Sequence, residues 1–220
     1  MQGKIHLHSS KKGHRQQRQI SKRKKQVNNK QNTELQTVPS THFVARPFQI
    51  VRDRERIERY HTEMVVLQNE LWRKLAMLAH DPNETRRMLR NRQEGANFVA
   101  QLHRMTAQRE GQALILDTST GEPVGYVFIT ESVDPLSKER MGIIGEMFIE
   151  EPWRKQGAGT FALQEAEKWL TARGTFTFQI FVTKINVDAV HMYQKNGYSV
   201  VDYRMIKRVS HATQTHDVQH

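Results

Sequence analysis

The chain has 220 residues, a net charge of +11, 37% hydrophobic residues and no cysteine. Its length fits one ordinary domain with room for tails, and the missing cysteines exclude disulfides, thiol nucleophiles and thiolate zinc sites. No apolar run is long enough to span a bilayer, and the amino terminus lacks the apolar core of a secretion signal, so a soluble cytoplasmic protein without membrane contact is expected.

The charge is unevenly placed. Residues 1–45 hold ten Lys/Arg against one acid, Glu34, whereas the remaining 175 residues hold 24 bases and 22 acids. The spacing predicts a disordered basic tail over 1–42, because a segment so poor in apolar residues cannot offset its ordering entropy. Its run Lys22-Arg23-Lys24-Lys25 suits nucleic acid, an anionic membrane or an import receptor as well as plain solvation. Through residues 4–30, weak contact with nucleic acid is expected at low salt.

Order is expected from Phe43, in a domain reaching to residue 208, with a frayed tail at 209–220. Phe48-Gln49-Ile50-Val51 reads as a short strand. From Asp53 to His80, Ile57, Tyr60, Met64, Leu67, Leu71, Leu75 and Leu78 recur every three or four residues, which is one face of a long helix. Asp81-Pro82-Asn83-Glu84 resets the chain: Asp81 can cap, Pro82 fits the first helical position and Glu84 completes a capping box. A second helix is then expected to about Gln108. Gln112–Asp117 and Val124–Thr130 flank a turn-rich connector and predict a hairpin, with Gly142–Ile149 as a third strand. Gly159–Ala172 reads as a helix ended by Gly174. Thr175–Thr183 reads as a strand, Val187–Lys195 as a helix stopped at Asn196-Gly197, and Tyr198–Arg208 as closing strand. The order predicts an α/β (α+β mixed) fold: a mixed, mostly antiparallel sheet with helices on both faces.

One loop carries chemistry. Glu150-Glu151-Pro152-Trp153-Arg154-Lys155-Gln156-Gly157-Ala158-Gly159-Thr160 leaves a strand and opens a helix. The first turn of a helix exposes unpaired N–H groups and the positive end of its dipole. Gly157, Ala158 and Gly159 let an anion approach, and Arg154 and Lys155 add charge. Together these describe a phosphate or pyrophosphate cradle; a tight turn that merely needs glycine is the plainer alternative. The Walker pattern is absent. Gly157-x-Gly159-x-x-Ala162 meets the loose dinucleotide fingerprint, but the intervening Arg154-Lys155-Gln156 and the missing acid at the end of the next strand count against it.

Arg154-x-x-Gly157-x-Gly159 resembles the R/Q-x-x-G-x-G/A loop of the GCN5-related N-acetyltransferases. Asn186-x-x-Ala189-x-x-x-Tyr193-x-x-x-Gly197-Tyr198 is similar to a second motif of that family at every named position. The resemblance implies a GNAT-like fold and an enzyme that moves the acetyl group of acetyl-coenzyme A, its cosubstrate, to a primary amine without a metal. It further implies that the amides of Arg154, Lys155, Gln156, Gly157, Ala158, Gly159 and Thr160 hold the pyrophosphate. Phe148 and Ile149 would offer backbone groups to the pantetheine arm where two strands splay, and Asn186 would hydrogen-bond that arm, though it could equally cap the following helix. Glu146 is the candidate base, with a solvent-facing or cation-paired acid as the plain alternative. Tyr193 is the candidate acid, with a core tyrosine as its alternative. His191 falls on another helical face and is expected to be exposed.

Residues 131–151 contain six acids (Glu131, Asp134, Glu139, Glu146, Glu150, Glu151) against two bases. Were some to line the cleft, they would favour a cationic acceptor such as a lysine, a protein amino terminus or a polyamine. The short stretch after Tyr198 leaves little room for a pocket-shaping loop, which favours a peptide or protein amine. The alternative is a nucleic-acid-associated binding protein that keeps the fold and uses its basic arm. Oligomeric state is open, a dimer included.

Overall fold

The computed structural model describes residues 42–75 and 80–207; the expected basic tail, the expected frayed end and the run 76–79 lie outside them. The strands are β1 (Phe43–Pro47), β2 (Gly111–Thr118), β3 (Pro123–Val133), β4 (Arg140–Ile149) and β5 (Thr177–Ile180). They form one sheet in that order. The first four are antiparallel and β4–β5 is parallel. The helices are α1 (Ile50–Lys74), α2 (Pro82–Asn91), α3 (Glu94–Ala107), α4 (Ala158–Thr171) and α5 (Val187–Lys195).

Side-chain alternation divides the sheet into two apolar faces. On one, Ala113, Ile115, Tyr126, Phe128 and Phe148 meet Ile57 and Tyr60 of α1 and Phe98, Val99 and Leu102 of α3. On the other, Leu114, Leu116, Val127, Ile129 and Ile144 meet Ala162, Leu163, Ala166 and Leu170 of α4. The mixed sheet with helices on both faces is therefore as the sequence predicts. Among the described residues no helix is long and apolar enough to cross a membrane.

Four expectations change. The first strand is Phe43–Pro47, not 48–51, because the chain turns helical at Ile50. Asp53, fully buried, sets that turn: its carboxylate accepts from the Gln49 amide at 2.9 Å and from Arg46 at 2.8 and 2.7 Å. The helix expected to run to Gln108 is two, because Gln93 adopts a left-handed conformation (φ 51) between α2 and α3. The strand expected over 175–183 shrinks to four residues, as its ladder with β4 ends at Ile144↔Ile180. The closing strand does not form over residues 198–207; Val200, Val201, Tyr203 and Met205 lie exposed. Its alternating pattern has no backbone partner beside so short an edge. The Asp81 cap is as expected, its side chain accepting from the Asn83 and Glu84 amides at 2.9 and 3.1 Å.

A guanidinium–carboxylate network ties α1 to the sheet. Arg46 on β1 also donates to Asp117 on β2 at 3.1 Å, and Asp117 accepts from Arg56 on α1 at 2.6 Å. Burial alone would push the Asp53 carboxyl up, but the hydrogen bonds from Arg46 and the Gln49 amide and the charges of Arg46 and Arg56 together outweigh it and hold it below the usual carboxylate range. A depressed carboxyl stabilises the fold above the ordinary value near 4, and that contribution is lost as pH falls below it. Asp53→Ala, which strips Arg46 of its buried partner, should cost about 3 kcal/mol at pH 7. Urea denaturation should show the gap from the parent narrowing at about pH 3, where the parent loses the same contribution.

Candidate functional site

Glu146 sits on the α1–α3 face of the sheet, as its alternation with Met147 predicts. Both of its oxygens lie near Nδ1 of His61 on α1, at 3.0 and 3.1 Å, and the Tyr126 hydroxyl on β3 donates to Oε2. The His61 ring is buried and stacks on Phe98 of α3 with centroids 4.0 Å apart and planes 10° apart. Burial pushes the Tyr126 phenol well above its ordinary value, and the Glu146 charge adds to this. Tyr126 therefore stays protonated and serves as a donor.

β4 opens beside this carboxylate. Across β3 the register runs Val127↔Met147 and Phe128↔Glu146, then jumps to Ile129↔Ile144. Gly145 is thus an extra residue, a bulge that bends the strand and sharpens its twist. The β4–β5 ladder stops at Ile144, the residue before it. From Gly145 to Ile149, β4 has β3 on one side and, among the described residues, no strand on the other. Phe148 and Ile149 lie on this freed edge, as the resemblance implies for a splayed pair.

The loop that follows is built around two left-handed residues, Lys155 (φ 60) and Gly157 (φ 90). Gly157 is the N-cap of α4, and a Cβ there would meet open space. Among the described residues the amides of Gly157, Ala158, Gly159 and Thr160 have no backbone acceptor, the first helical bond being Phe161 N to Gly157 O at 2.9 Å. These donors at a helix N-terminus suit an anion. The loop's small residues have other duties too. Ala158 is fully buried in the α4 core, and a Cβ on Gly159 would come within 2.7 Å of Met192 Sδ on α5. Arg154 folds back, Nε donating to Ile149 O at 2.9 Å with its guanidinium 5.7 Å from the Phe148 ring centre. Gln156 donates to Pro152 O, and Lys155 pairs with Asp188 of α5 at 3.2 Å, both exposed.

Tyr193 is placed by the end of α5. Tyr198 N donates to Tyr193 O and Gly197 N to Gln194 O, each at 3.1 Å, with Gly197 left-handed (φ 91). This is a Schellman motif. It sets the Tyr198 ring 6.0 Å from that of Tyr193, and Tyr198 Oη donates to Glu167 of α4 at 2.8 Å. Tyr193 packs on the α4 face, against the same cluster as Met147, Ile149, Phe178 and Ile180. Burial pushes its phenol up, so it too stays protonated. Glu146 and Tyr193 thus lie on opposite faces of the sheet. Asn186 is the N-cap of α5 but its side chain makes no capping bond. His191 is exposed, as expected.

Two of the six acids of the segment, Glu131 and Glu150, are spent on the chain's own cations. Glu131 accepts from Arg173 at 2.6 Å and Arg140 at 2.9 Å, and Glu150 is held by Arg59 of α1. Asp134 accepts from the Leu136 and Ser137 amides at 3.0 and 2.7 Å. Glu146 has no Arg or Lys partner among the described residues. His61 and Tyr126 were invisible as site residues in the sequence. His61 falls in the apolar stripe of α1, one turn after Ile57, and a histidine among core positions was the only signal.

The model of the family described as "Acetyltransferase (GNAT) family" matches residues 69–198. YdgE of Bacillus subtilis, named an uncharacterized N-acetyltransferase, is 29% identical over 89 residues, which is 40% of this chain and 55% of that protein. MJ1207 of Methanocaldococcus jannaschii, named likewise, is 24% identical over 108 residues, 46% of this chain and 48% of that protein. The chain therefore spans about half the length of these curated relatives. A solved GCN5-related N-acetyltransferase from Ralstonia eutropha shares the fold: TM-score 0.55 and 18% identity over 76% of this chain and 98% of that one.

Gly157→Ala should cost about 1 kcal/mol of stability, because alanine resists the left-handed backbone although its methyl group has room. Chemical denaturation of the variant measures this directly.

Proposed function

The chain belongs to the GNAT acetyltransferase family, and on that premise we propose that it transfers the acetyl group of acetyl-coenzyme A to a cationic primary amine, with Glu146 as base and Tyr193 as acid. The observation that carries the reading is the opening in β4. The bulge at Gly145 frees a strand edge that ends at unpaired amides of α4, with Glu146 on one side of the sheet and Tyr193 on the other.

The residues fit such a cosubstrate. The amides of Gly157 to Thr160 would hold its diphosphate, and Arg154, with its terminal nitrogens uncommitted, would add charge. Lys155 and Gln156 would line the same loop. The free edge at Phe148 and Ile149 would pair with an extended amide-bearing arm, and the uncapped Asn186 side chain would bond it from the α5 side. When bound, acetyl-coenzyme A supplies the thioester whose C–S bond is exchanged for an amide C–N bond.

The chain's own groups handle the protons. Glu146 takes one from the ammonium of the acceptor, which frees the nitrogen lone pair. Tyr193, kept as a phenol by burial, gives its proton to the departing sulfur and regains one, relayed by water, from the acceptor nitrogen, which loses its second proton as the amide forms. The acceptor class rests on Glu146. A largely enclosed carboxylate without a cation of its own suits an ammonium, and desolvation strengthens that attraction. The exposed stretch after Tyr198 leaves the rim open, which favours a lysine side chain or a peptide amino terminus over a small enclosed amine. The nucleic-acid-binding alternative finds no support in the family match.

Acetyl-coenzyme A at about 100 times its Kd should raise the melting temperature by roughly 5–10 °C. Thiol release over a panel of amines should favour cationic acceptors; a preference for neutral amines would remove the charge argument. Tyr193→Phe should lower kcat about 100-fold and leave cosubstrate affinity nearly unchanged, read by turnover and by calorimetry.

A further inference from the structure

We propose that His61 is the positioning residue that makes Glu146 a usable base, an inference resting on the acyl-transfer reading above. His61 Nδ1 faces both carboxylate oxygens, while its Nε2 is buried and has no hydrogen-bond partner among the described residues. An ionised carboxylate only accepts, so the ring proton belongs on Nδ1. The bare Nε2 then leaves an acceptor unsatisfied. A proton on Nε2 would bury an N–H that has no acceptor. The contact with Glu146 thus selects one tautomer, and stacking on Phe98 fixes the ring plane.

The groups around Glu146 are few. His61 faces it from α1 and Tyr126 from β3, and Phe98 behind His61 brings no charge from α3. Arg59 on α1 and Glu150 further along β4 pair with each other, and the Tyr60 hydroxyl lies on that pair's side. Among the described residues Glu146 is therefore held by His61 and Tyr126 and by no Arg or Lys. A donor aimed at a carboxylate favours its charged form, and removing the donor disfavours that form. His61 does this while also fixing where the oxygens point.

The test compares kcat/KM against pH for the parent, His61→Ala and His61→Asn, each checked for folding by circular dichroism. The asparagine amide can place an N–H where Nδ1 stood. His61→Ala should move the acidic limb up by about one pH unit and His61→Asn should return it most of the way. A purely structural role would lower kcat and leave the limb in place. An unmoved limb in His61→Ala, or one equally displaced in His61→Asn, overturns the proposal. Should His61→Ala not fold, nitrogen NMR of the parent's imidazole decides: a proton on Nδ1 with Nε2 bare supports the role, and the opposite tautomer overturns it. A parent that acetylates no amine defeats the acyl-transfer reading and this role with it, whereas turnover with an unmoved limb defeats only the role of His61.

Discussion

The extra residue in β4 governs where this sheet can open. Up to Ile144 the strand is paired on both sides, to β3 and to β5. At Gly145 the register with β3 slips by one, the strand twists, and β5 cannot follow. A paired central strand offers no free backbone groups, because neighbouring chains use them all. Breaking the ladder on one side only, while β3 keeps the other, produces an edge inside the sheet without surrendering the strand. The same slip fixes which side chains face which way, so Glu146 joins Tyr126 and Phe128 on one face while Met147 and Ile149 turn to the other.

A half-paired strand needs support, and α1 provides it. Arg59 holds Glu150, His61 meets Glu146, and Gln68 Nε2 donates to Thr183 Oγ1 beyond β5 at 2.5 Å. These contacts step along one helix from the end of β4 to the far side of the gap. The helix is anchored in turn by Asp53, Arg46, Arg56 and Asp117, three of whose ion pairs span 2.6 to 3.1 Å. Rigidity in α1 is thus transmitted to the carboxylate through side chains of fixed geometry.

Much of this was legible in the sequence, and what was not has physical causes. Elements defined by local rules came out well: the Asp81 cap, the hairpin between β2 and β3, and the helix stops at Gly174 and Gly197. So did the start of α4 at small residues, since the need for them there is local. The misses came from distant partners. Phe43–Pro47 becomes a strand because β2 lies beside it, and residues 198–207 do not because they pair with no strand among the described residues. Gln93 takes a left-handed turn that its side chain gives no reason to expect. The His61–Glu146 contact joins residues 85 apart, and no spacing rule could propose it. Gly159 was read as room for an anion, whereas Met192 gives it a second reason to be small.

The Schellman turn at Gly197 has a bearing on how such a protein can diversify. Tyr193 is set by that turn, by the Tyr198 ring and by the Tyr198–Glu167 bond. Among the described residues, the contacts that set its place lie at or before residue 198. The residues after it, from Ser199 to Lys207, are exposed. Substitution, lengthening or exchange of this stretch would therefore leave the phenol where it is. On the proposed reading, the rim beyond residue 198 could vary along a lineage while the Tyr193 phenol kept its place.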